Sequence, residues 1–320
     1  MSNGDRVRIE RADAVDFLRS LPADSVDLVF TSPPYLEART YGIGAGRKLD
    51  VWVPWMVEVV TECVRVCKGL TAVVCEGQTR NYRYLPAPFL LMAELHRAGF
   101  NLRKPCVYRR NGIFGGGGSR SQHEENGGGS DWLRNDWEPV VCVSRPGKLP
   151  WADGTACGHP PLFGPGGAAS HRNGKGVRVN QWGGRTSVTS SACRRPDGSI
   201  DNRPRPSHQF TDETTNGYSP PVMANPGNVI DCRVGGNQMG HDLAHSNEAP
   251  FPLKLAAFFV QSFAPPGGTV CDPFAGSGTT AHAAYEHGRR FVGCDLRQSQ
   301  VDLTLRRLAT VTPSAFNEVA

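Results

Sequence analysis

Short continuous apolar runs alternate along this chain with longer stretches in which apolar residues recur every three or four positions. Val26-Asp27-Leu28-Val29-Phe30, Ala72-Val73-Val74-Cys75, Cys106-Val107-Tyr108, Pro139-Val140-Val141-Cys142-Val143, Thr269-Val270-Cys271 and Phe291-Val292-Gly293-Cys294 have the length of strands buried on both faces. Val7-Arg8-Ile9-Glu10 alternates like a further strand, and Val229-Ile230 reads as a short one. Between them, residues 15–21, 89–98, 251–263, 279–287 and 301–308 read as helices. Trp52, Trp55, Met56, Val59, Val60, Cys63 and Val66 recur at helical spacing too, with Gly69 as the expected stop and the aromatic stripe expected in the core. Strand and helix therefore alternate. The pattern predicts an α/β fold with a mostly parallel sheet and helices on both faces.

The alternation lapses in the middle of the chain. Glycine runs occupy residues 115–118 and 127–129, and from residue 146 to about 223 there is little periodicity. A segment that long without regular structure is either functional or disordered. This divides the chain into residues 1–114, an insertion over 115–224 that holds one core strand near 139–144, and residues 225–320. The net charge of +5 is unevenly spread: between Arg145 and Phe210 ten Lys/Arg stand against three Asp/Glu. That stretch is a candidate phosphate-facing surface. The N-terminus has no apolar core of the kind a secretory signal needs, and the 251–263 helix is short and carries Lys254 and Gln261. The ten scattered cysteines fit reduced thiols, so a cytoplasmic protein without a membrane span is expected. Cys157, His159, His171 and Cys193 lack a paired Cys-x-x-Cys knuckle, and no metal is expected.

Two stretches carry chemistry. Thr31-Ser32-Pro33-Pro34-Tyr35 follows a buried strand, and its two prolines make a stiff turn at the strand's carboxyl end, where open α/β sheets place ligands. The Ser32 hydroxyl and the Pro33 carbonyl are acceptors suited to an –NH2 group, and Tyr35 offers a flat face for a planar ring. Asp272-Pro273-Phe274-Ala275-Gly276-Ser277-Gly278-Thr279 lies between a strand and a helix, with Asp295 ending the next strand. Two glycines permit a tight turn, the helix N-terminus presents free N–H groups, and a strand-end acid can accept both hydroxyls of a ribose. This is a nucleoside-binding unit. Its Gly276-x-Gly278-x-x-Ala281 spacing also fits a dinucleotide fingerprint, which keeps a nicotinamide oxidoreductase in view, although Asp272 stands where a pyrophosphate would have to pass.

The turn at residues 31–35 resembles the catalytic motif of amino-methylating DNA methyltransferases, in the Ser-Pro-Pro-Tyr form associated with cytosine N4. Residues 272–278 resemble that family's S-adenosylmethionine motif, with Thr31 and Thr279 beside it. Asp295 resembles its ribose-binding acid, and Asp13 the residue that reaches the adenine amino group. Residues 245–252, with Asn247 and Phe251, are similar to the segment that closes over the methionine end. Catalytic motif first and cofactor motif last is the circularly permuted order of the family's beta group. The resemblance implies a Rossmann-like methyltransferase fold that uses S-adenosylmethionine and acts on double-stranded DNA. The base is flipped out, the –NH2 is held by Ser32 and Pro33, and Tyr35 stacks on the ring. N4-methylcytosine is the expected product, with adenine N6 the near alternative because adenine enzymes more often carry Asp at position 32. Residues 115–224 match a target-recognition region in placement, with Arg172, Lys175, Arg178 and Arg185 expected at phosphates. A cognate restriction endonuclease and a homodimer are compatible with such an enzyme. Lys104-Pro105-Cys106 contains the Pro-Cys pair of cytosine-C5 methylases, but no other C5 motif accompanies it and Cys106 is expected in the core. A catalytically idle DNA-binding protein is the non-enzyme alternative, disfavoured by the intact Ser32, Tyr35, Gly276 and Gly278.

Overall fold

Alternate residues of the central strands go to opposite faces, and both faces are covered. Val29 and Val73 point into one apolar cluster, whereas Leu28, Phe30, Leu70, Ala72 and Val74 point into the other. That two-sided burial is why these strands read as continuous apolar runs. The computed structural model describes residues 6–36, 47–111, 135–160, 171–172, 178–179, 223–233, 239–247 and 249–312. In chain order, the first half comprises β1 (Val7–Arg11), α1 (Ala14–Ser20), β2 (Val26–Thr31), α2 (Leu49–Val66), β3 (Cys67–Val74), β4 (Gln78–Arg80), β5 (Arg83–Leu85), α3 (Ala87–Arg97), β6 (Asn101–Leu102) and β7 (Cys106–Asn111). The second comprises β8 (Trp137–Ser144), β9 (His171–Arg172), β10 (Arg178–Val179), β11 (Val229–Arg233), α4 (Leu253–Phe263), β12 (Thr269–Asp272), α5 (Thr279–Glu286), β13 (Arg290–Asp295) and α6 (Gln298–Leu308).

The main sheet runs β1-β13-β12-β2-β3-β8-β7-β11, with β6 added to β8. β8 is antiparallel to both β3 and β7, and the remaining neighbours along the path are parallel. Helices α1, α2 and α3 contribute to the first cluster, through Phe17, Met56 and Leu91 among others. Helices α4 and α5 contribute to the second, through Phe259, Val260 and Ala284. β12 and β2 lie side by side although more than two hundred residues separate them. Their chains leave in opposite directions, β12 through α5 to β13 and β2 through α2 to β3, so a crevice opens at their carboxyl ends. β1 pairs in parallel with β13, opposing Arg11 to Asp295 and bringing the Asp13 turn to the same rim.

Two expectations need revision. Helix α2 ends at Val66 and passes straight into β3, so Gly69 is a strand residue and not the helix stop. A Cβ there would lie 2.1 Å from the Asp27 carbonyl, so the residue is needed for close approach of β2. Cys106, in β7 beside buried Cys142, packs against the second cluster but is only partly buried. The chain forms two compact units, Met1–Cys157 with Gly227–Ala320, and Gly158–Pro226. In the second, the described parts are the antiparallel β9–β10 pair and a bridge between His159 and Ala224. Among the described residues no helix is long and apolar enough to cross a membrane.

Candidate active site

The crevice is built on one buried carboxylate. Thr31, at the end of β2, donates from Oγ1 to Asp272 Oδ1 at 2.5 Å, and the Phe274 N–H donates to the same oxygen at 3.0 Å. Thr280 of α5 donates to Oδ2 at 2.7 Å. Burial pushes the Asp272 carboxyl up to about 6, against the hydrogen bonds from Thr31, Thr280 and Phe274 that pull it down. Asp272 therefore ties the strand end of one motif to the loop of the other, as part of the floor.

Beyond Thr31 the double proline turns the chain across the rim. Trp52 of α2 donates from Nε1 to the Pro34 carbonyl at 2.8 Å and clamps the turn from behind. The Tyr35 hydroxyl accepts from Ser32 Oγ at 3.3 Å and donates to Glu138 Oε2 of β8 at 2.8 Å. Glu138 is in turn paired with Arg110 of β7 at 3.1 Å, both side chains being mostly buried. Burial, and after it the charge of Glu138, pushes the Tyr35 hydroxyl well above its ordinary range, so it stays a neutral donor.

The opposite wall is the glycine loop. Gly276 and Gly278 both have positive φ, 53° and 75°, where a side chain would be strained. A Cβ on Gly276 would also lie 2.8 Å from Asn247 Nδ2, and one on Gly278 would lie 2.7 Å from the Thr304 side chain. Asp295 accepts from the Gly276 N–H at 3.1 Å and from the Arg297 N–H at 2.9 Å, which aims its carboxylate into the crevice. Behind the loop sits Arg307 of α6, fully buried. It donates to Thr279 Oγ1 at 3.0 Å, to the Ser277 carbonyl at 3.2 Å, to the Met239 carbonyl at 3.2 Å and to His282 Nδ1 at 3.0 Å. Burial, followed by the Arg307 charge, holds His282 down at about 4 and so neutral, which suits it to accept that bond.

Between the walls lies a cavity of about 200 Å³ lined by Ser32, Pro33, Pro34 and Tyr35 on one side and Pro273, Phe274, Gly276 and Asp295 on the other. Asp13 and Asn247 line it at the rim, together with the stacked Trp55 and Arg47 side chains. The Trp55 ring meets Phe274 edge-on at 5.6 Å, and the Arg47 guanidinium lies 4.3 Å over the Trp55 ring.

Not every expected residue faces this cavity. The Asp13 carboxylate lines it but also caps α1, accepting from the Val15 N–H at 2.9 Å. Thr31, Asp272, Ala275, Ser277 and Thr279 are buried beneath the surface. Phe251 packs edge-on against Phe30 at 5.4 Å, in the core. Arg172 and Arg178 oppose each other across β9 and β10, and Lys175 and Arg185 fall outside the described residues. Among the described residues no group of His, Cys, Asp or Glu is arranged to hold a metal. Reasoning from sequence missed Arg47, Glu138, Arg110, Thr304 and Arg307. Trp55 packs against the first core cluster as its spacing suggests, but its second face, on the cavity, was not foreseen.

A profile of the N6/N4 DNA methylase family matches residues 26–306. DNA adenine methyltransferase YhdJ of Escherichia coli (strain K12) is 25% identical over 313 residues, 98% of this chain and 86% of that protein. Type II methyltransferase M.Cfr9I of Citrobacter freundii is 23% identical over 314 residues, 92% of this chain and 85% of that one. Among solved structures, the cytosine-N4-specific PvuII DNA methyltransferase superposes with a TM-score of 0.60 at 17% identity, covering 94% of this chain and 86% of its own. A DNA modification methylase of Thermus thermophilus, solved with S-adenosyl-L-methionine, gives 0.53 at 22% identity, covering 94% and 93%. The family match begins at β2, ends in α6 and contains both motif loops, so the chain belongs to the N6/N4 DNA methylase family and has the Rossmann-like fold of S-adenosylmethionine-dependent methyltransferases.

Proposed function

We propose that this protein transfers a methyl group from S-adenosylmethionine to the exocyclic N4 of a cytosine flipped out of double-stranded DNA. The observation that carries the reading is the shared cavity: Ser32 through Tyr35 form one wall and the Gly276–Asp295 cradle forms the other. The cradle suits a nucleoside. A Cβ at Gly276 would fill it against Asn247, Trp55 and Phe274 supply aromatic faces, and the Asp295 carboxylate, oriented by the Gly276 and Arg297 N–H groups, lines the cavity where a ribose hydroxyl would meet it. When bound, the donor's sulfonium supplies an already activated methyl group.

The chain's own residues then have to position and bind. The Ser32 hydroxyl proton goes to Tyr35, which leaves the Ser32 oxygen to accept from an –NH2, alongside the Pro33 carbonyl. Two acceptors draw the amino nitrogen out of conjugation with its ring and give it a usable lone pair. The Tyr35 ring, pinned through its hydroxyl by Glu138, is the stacking surface for the base. No covalent nucleophile takes part. Serine at position 32 is what favours cytosine over adenine. The two readings share everything else, and YhdJ, an adenine enzyme, is among the relatives. Target choice is assigned to residues 115–224, with Arg172, Lys175, Arg178 and Arg185 at phosphates, between the catalytic portion at 1–114 and the cofactor portion at 225–320.

The test is nucleoside mass spectrometry of unmethylated DNA incubated with enzyme and isotopically labelled donor. Labelled N4-methylcytosine is the expected product, and N6-methyladenine would transfer the assignment to adenine. Ser32→Ala should leave cofactor and DNA binding intact and slow kcat. A neutral hydrogen bond is worth about 0.5–1.5 kcal/mol, rising toward about 3 if its partner is stranded, so a loss of roughly 2- to 100-fold is expected.

A further inference from the structure

One exposed element on the catalytic rim is not used by the site. β4 and β5 form a two-stranded hairpin of their own, outside the main sheet, directly after the carboxyl end of β3. β3 is the parallel neighbour of β2, so the hairpin rises on the same rim as the Ser32–Tyr35 turn. Arg80 pairs with Arg83, and the two-residue turn between them is Asn81-Tyr82, with φ of 49° and 60°. Positive φ at both positions is what a tight hairpin turn requires. Asn tolerates it, but a bulky aromatic residue is strained there.

The tip is built against its own stability. Tyr82 is 89% exposed, so burial does not offset the strain. Arg80 and Arg83 lie directly opposite each other across the strands, which sets two cationic side chains on either side of the exposed tyrosine at the tip. The base, in contrast, is firmly anchored. The Tyr84 hydroxyl donates to Glu76 Oε1 at 2.9 Å, and a Cβ at Gly77 would lie 2.6 Å from the Tyr84 ring. Asn135 Nδ2 donates to Glu76 Oε2 at 3.0 Å, and Arg110 donates to the Asn135 carbonyl at 3.1 Å while pairing with Glu138, the anchor of Tyr35. A continuous set of contacts thus braces the hairpin against the residue that stacks on the target base.

We propose that the β4–β5 hairpin is a DNA-contacting finger, in which Arg80 and Arg83 meet phosphates and Tyr82 stacks on a base next to the one drawn into the cavity. The proposal rests on the DNA-methylating reading, and the experiment separates the two. Wild type, Arg80→Gln/Arg83→Gln, Tyr82→Ala and Tyr82→Trp are compared on amplified, hence unmethylated, bacterial DNA for labelled methyl transfer. Affinity for a mixed-sequence duplex is measured by anisotropy at several salt concentrations. Calorimetric S-adenosylmethionine affinity and melting temperature report on the fold. The double variant should flatten the log–log salt dependence by about 1.8, or about 0.9 per lost contact. Tyr82→Ala should lower kcat/KM for DNA by about 5- to 150-fold, the range for loss of one aromatic–base stack, and Tyr82→Trp should restore it. Cofactor affinity should not change. Unaltered salt slope and unaltered methyl transfer in these variants would overturn the finger while leaving the enzyme intact. Loss of self-association in place of DNA contact would assign the hairpin to a second copy of the chain and overturn it too. A wild type that labels no DNA would remove the reading beneath it.

Discussion

The two motif loops sit on neighbouring parallel strands and face one cavity, yet they are held in opposite ways. The Pro33-Pro34 turn is stiff by covalent structure and takes its support from outward-reaching side chains: Trp52 on the Pro34 carbonyl and Glu138 on Tyr35. The glycine loop has no stiffness of its own. It adopts left-handed backbone at Gly276 and Gly278 because buried polar groups hold its carbonyls and hydroxyls, with Thr304 on the Gly276 carbonyl at 3.1 Å and Arg307 on Ser277 and Thr279. A rigid turn can expose nearly all its groups to a substrate. A permissive loop must commit side chains from elsewhere in the chain to staying folded.

The largest expected effect tests that dependence. Arg307→Met removes a buried donor set and strands acceptors on Ser277, Thr279, Met239 and His282. Hydrogen bonds from a charged donor are worth about 1.5–3 kcal/mol each and do not add, so a net loss of about 3 kcal/mol or more is expected. Thermal melting should show it, and calorimetry should show weakened S-adenosylmethionine binding. Arg307→Lys should recover part of both. Pro34→Ala is the matched change on the other side. It keeps the carbonyl that Trp52 needs and should cost no more than about 1 kcal/mol, the scale of a proline's effect on the unfolded chain. Equal losses from the two would erase the distinction between the loops.

A smaller and pH-dependent effect comes from the two buried titrating groups behind the glycine loop. The Asp272 carboxyl is pushed up from 3.8 to about 6, so between those values the folded chain holds a proton that the unfolded chain releases. Stability from this group therefore rises as pH falls through 6. His282 is held down from 6.5 to about 4, so over nearly the same window the unfolded chain takes up a proton that the folded chain refuses, and stability falls. Each is worth about 3 kcal/mol at most, with opposite sign, so they offset one another in the wild type. Asp272→Asn should expose the histidine: stability measured by denaturant should fall between pH 7 and pH 4.5 by about 2 kcal/mol more than in the wild type. An unchanged pH response would mean that the Asp272 carboxyl is ionised throughout.

What was legible in the sequence follows the same division. The Thr31–Asp272 pair could not be read, because its members lie at the ends of strands from opposite ends of the chain, yet each motif could, because Ser-Pro-Pro-Tyr and Asp-Pro-Phe-Ala-Gly-Ser-Gly are local. Buried strands announced themselves through apolar runs, whereas the antiparallel insertion of β8 between β3 and β7 left no trace in composition or period. Arg307 looked like one more charge on the last helix, beside Arg306. Only packing shows that one of the pair is fully buried. Trp55 was only half legible: it packs against the first core cluster, as its helical spacing suggests, but it also lines the cavity, which spacing cannot show. The β4–β5 hairpin was lost because three-residue strands are too short to show a period.

The smallest effect is expected at Tyr35, and it asks whether the stiff turn is held for its ring or for its hydroxyl. Tyr35→Phe keeps the stacking face and the Pro-Pro geometry but removes the donor to Glu138 and the acceptor of the Ser32 proton. Glu138 remains paired with Arg110, so no isolated charge is left behind. Ser32 then has to direct its proton elsewhere, and one neutral hydrogen bond's worth of positioning is lost, about 0.5–1.5 kcal/mol. The expected result is a drop of roughly 2- to 12-fold in kcat with cofactor affinity unchanged. Because burial and Glu138 keep the wild-type hydroxyl protonated, the rate profile of both proteins should be parallel through about pH 9. Tyr35→Ala should cost more than Tyr35→Phe, since it removes the stacking surface as well. If Tyr35→Phe instead abolished methyl transfer, or if its pH profile diverged from that of the wild type, the hydroxyl would be part of the chemistry and not only the pin that holds the ring.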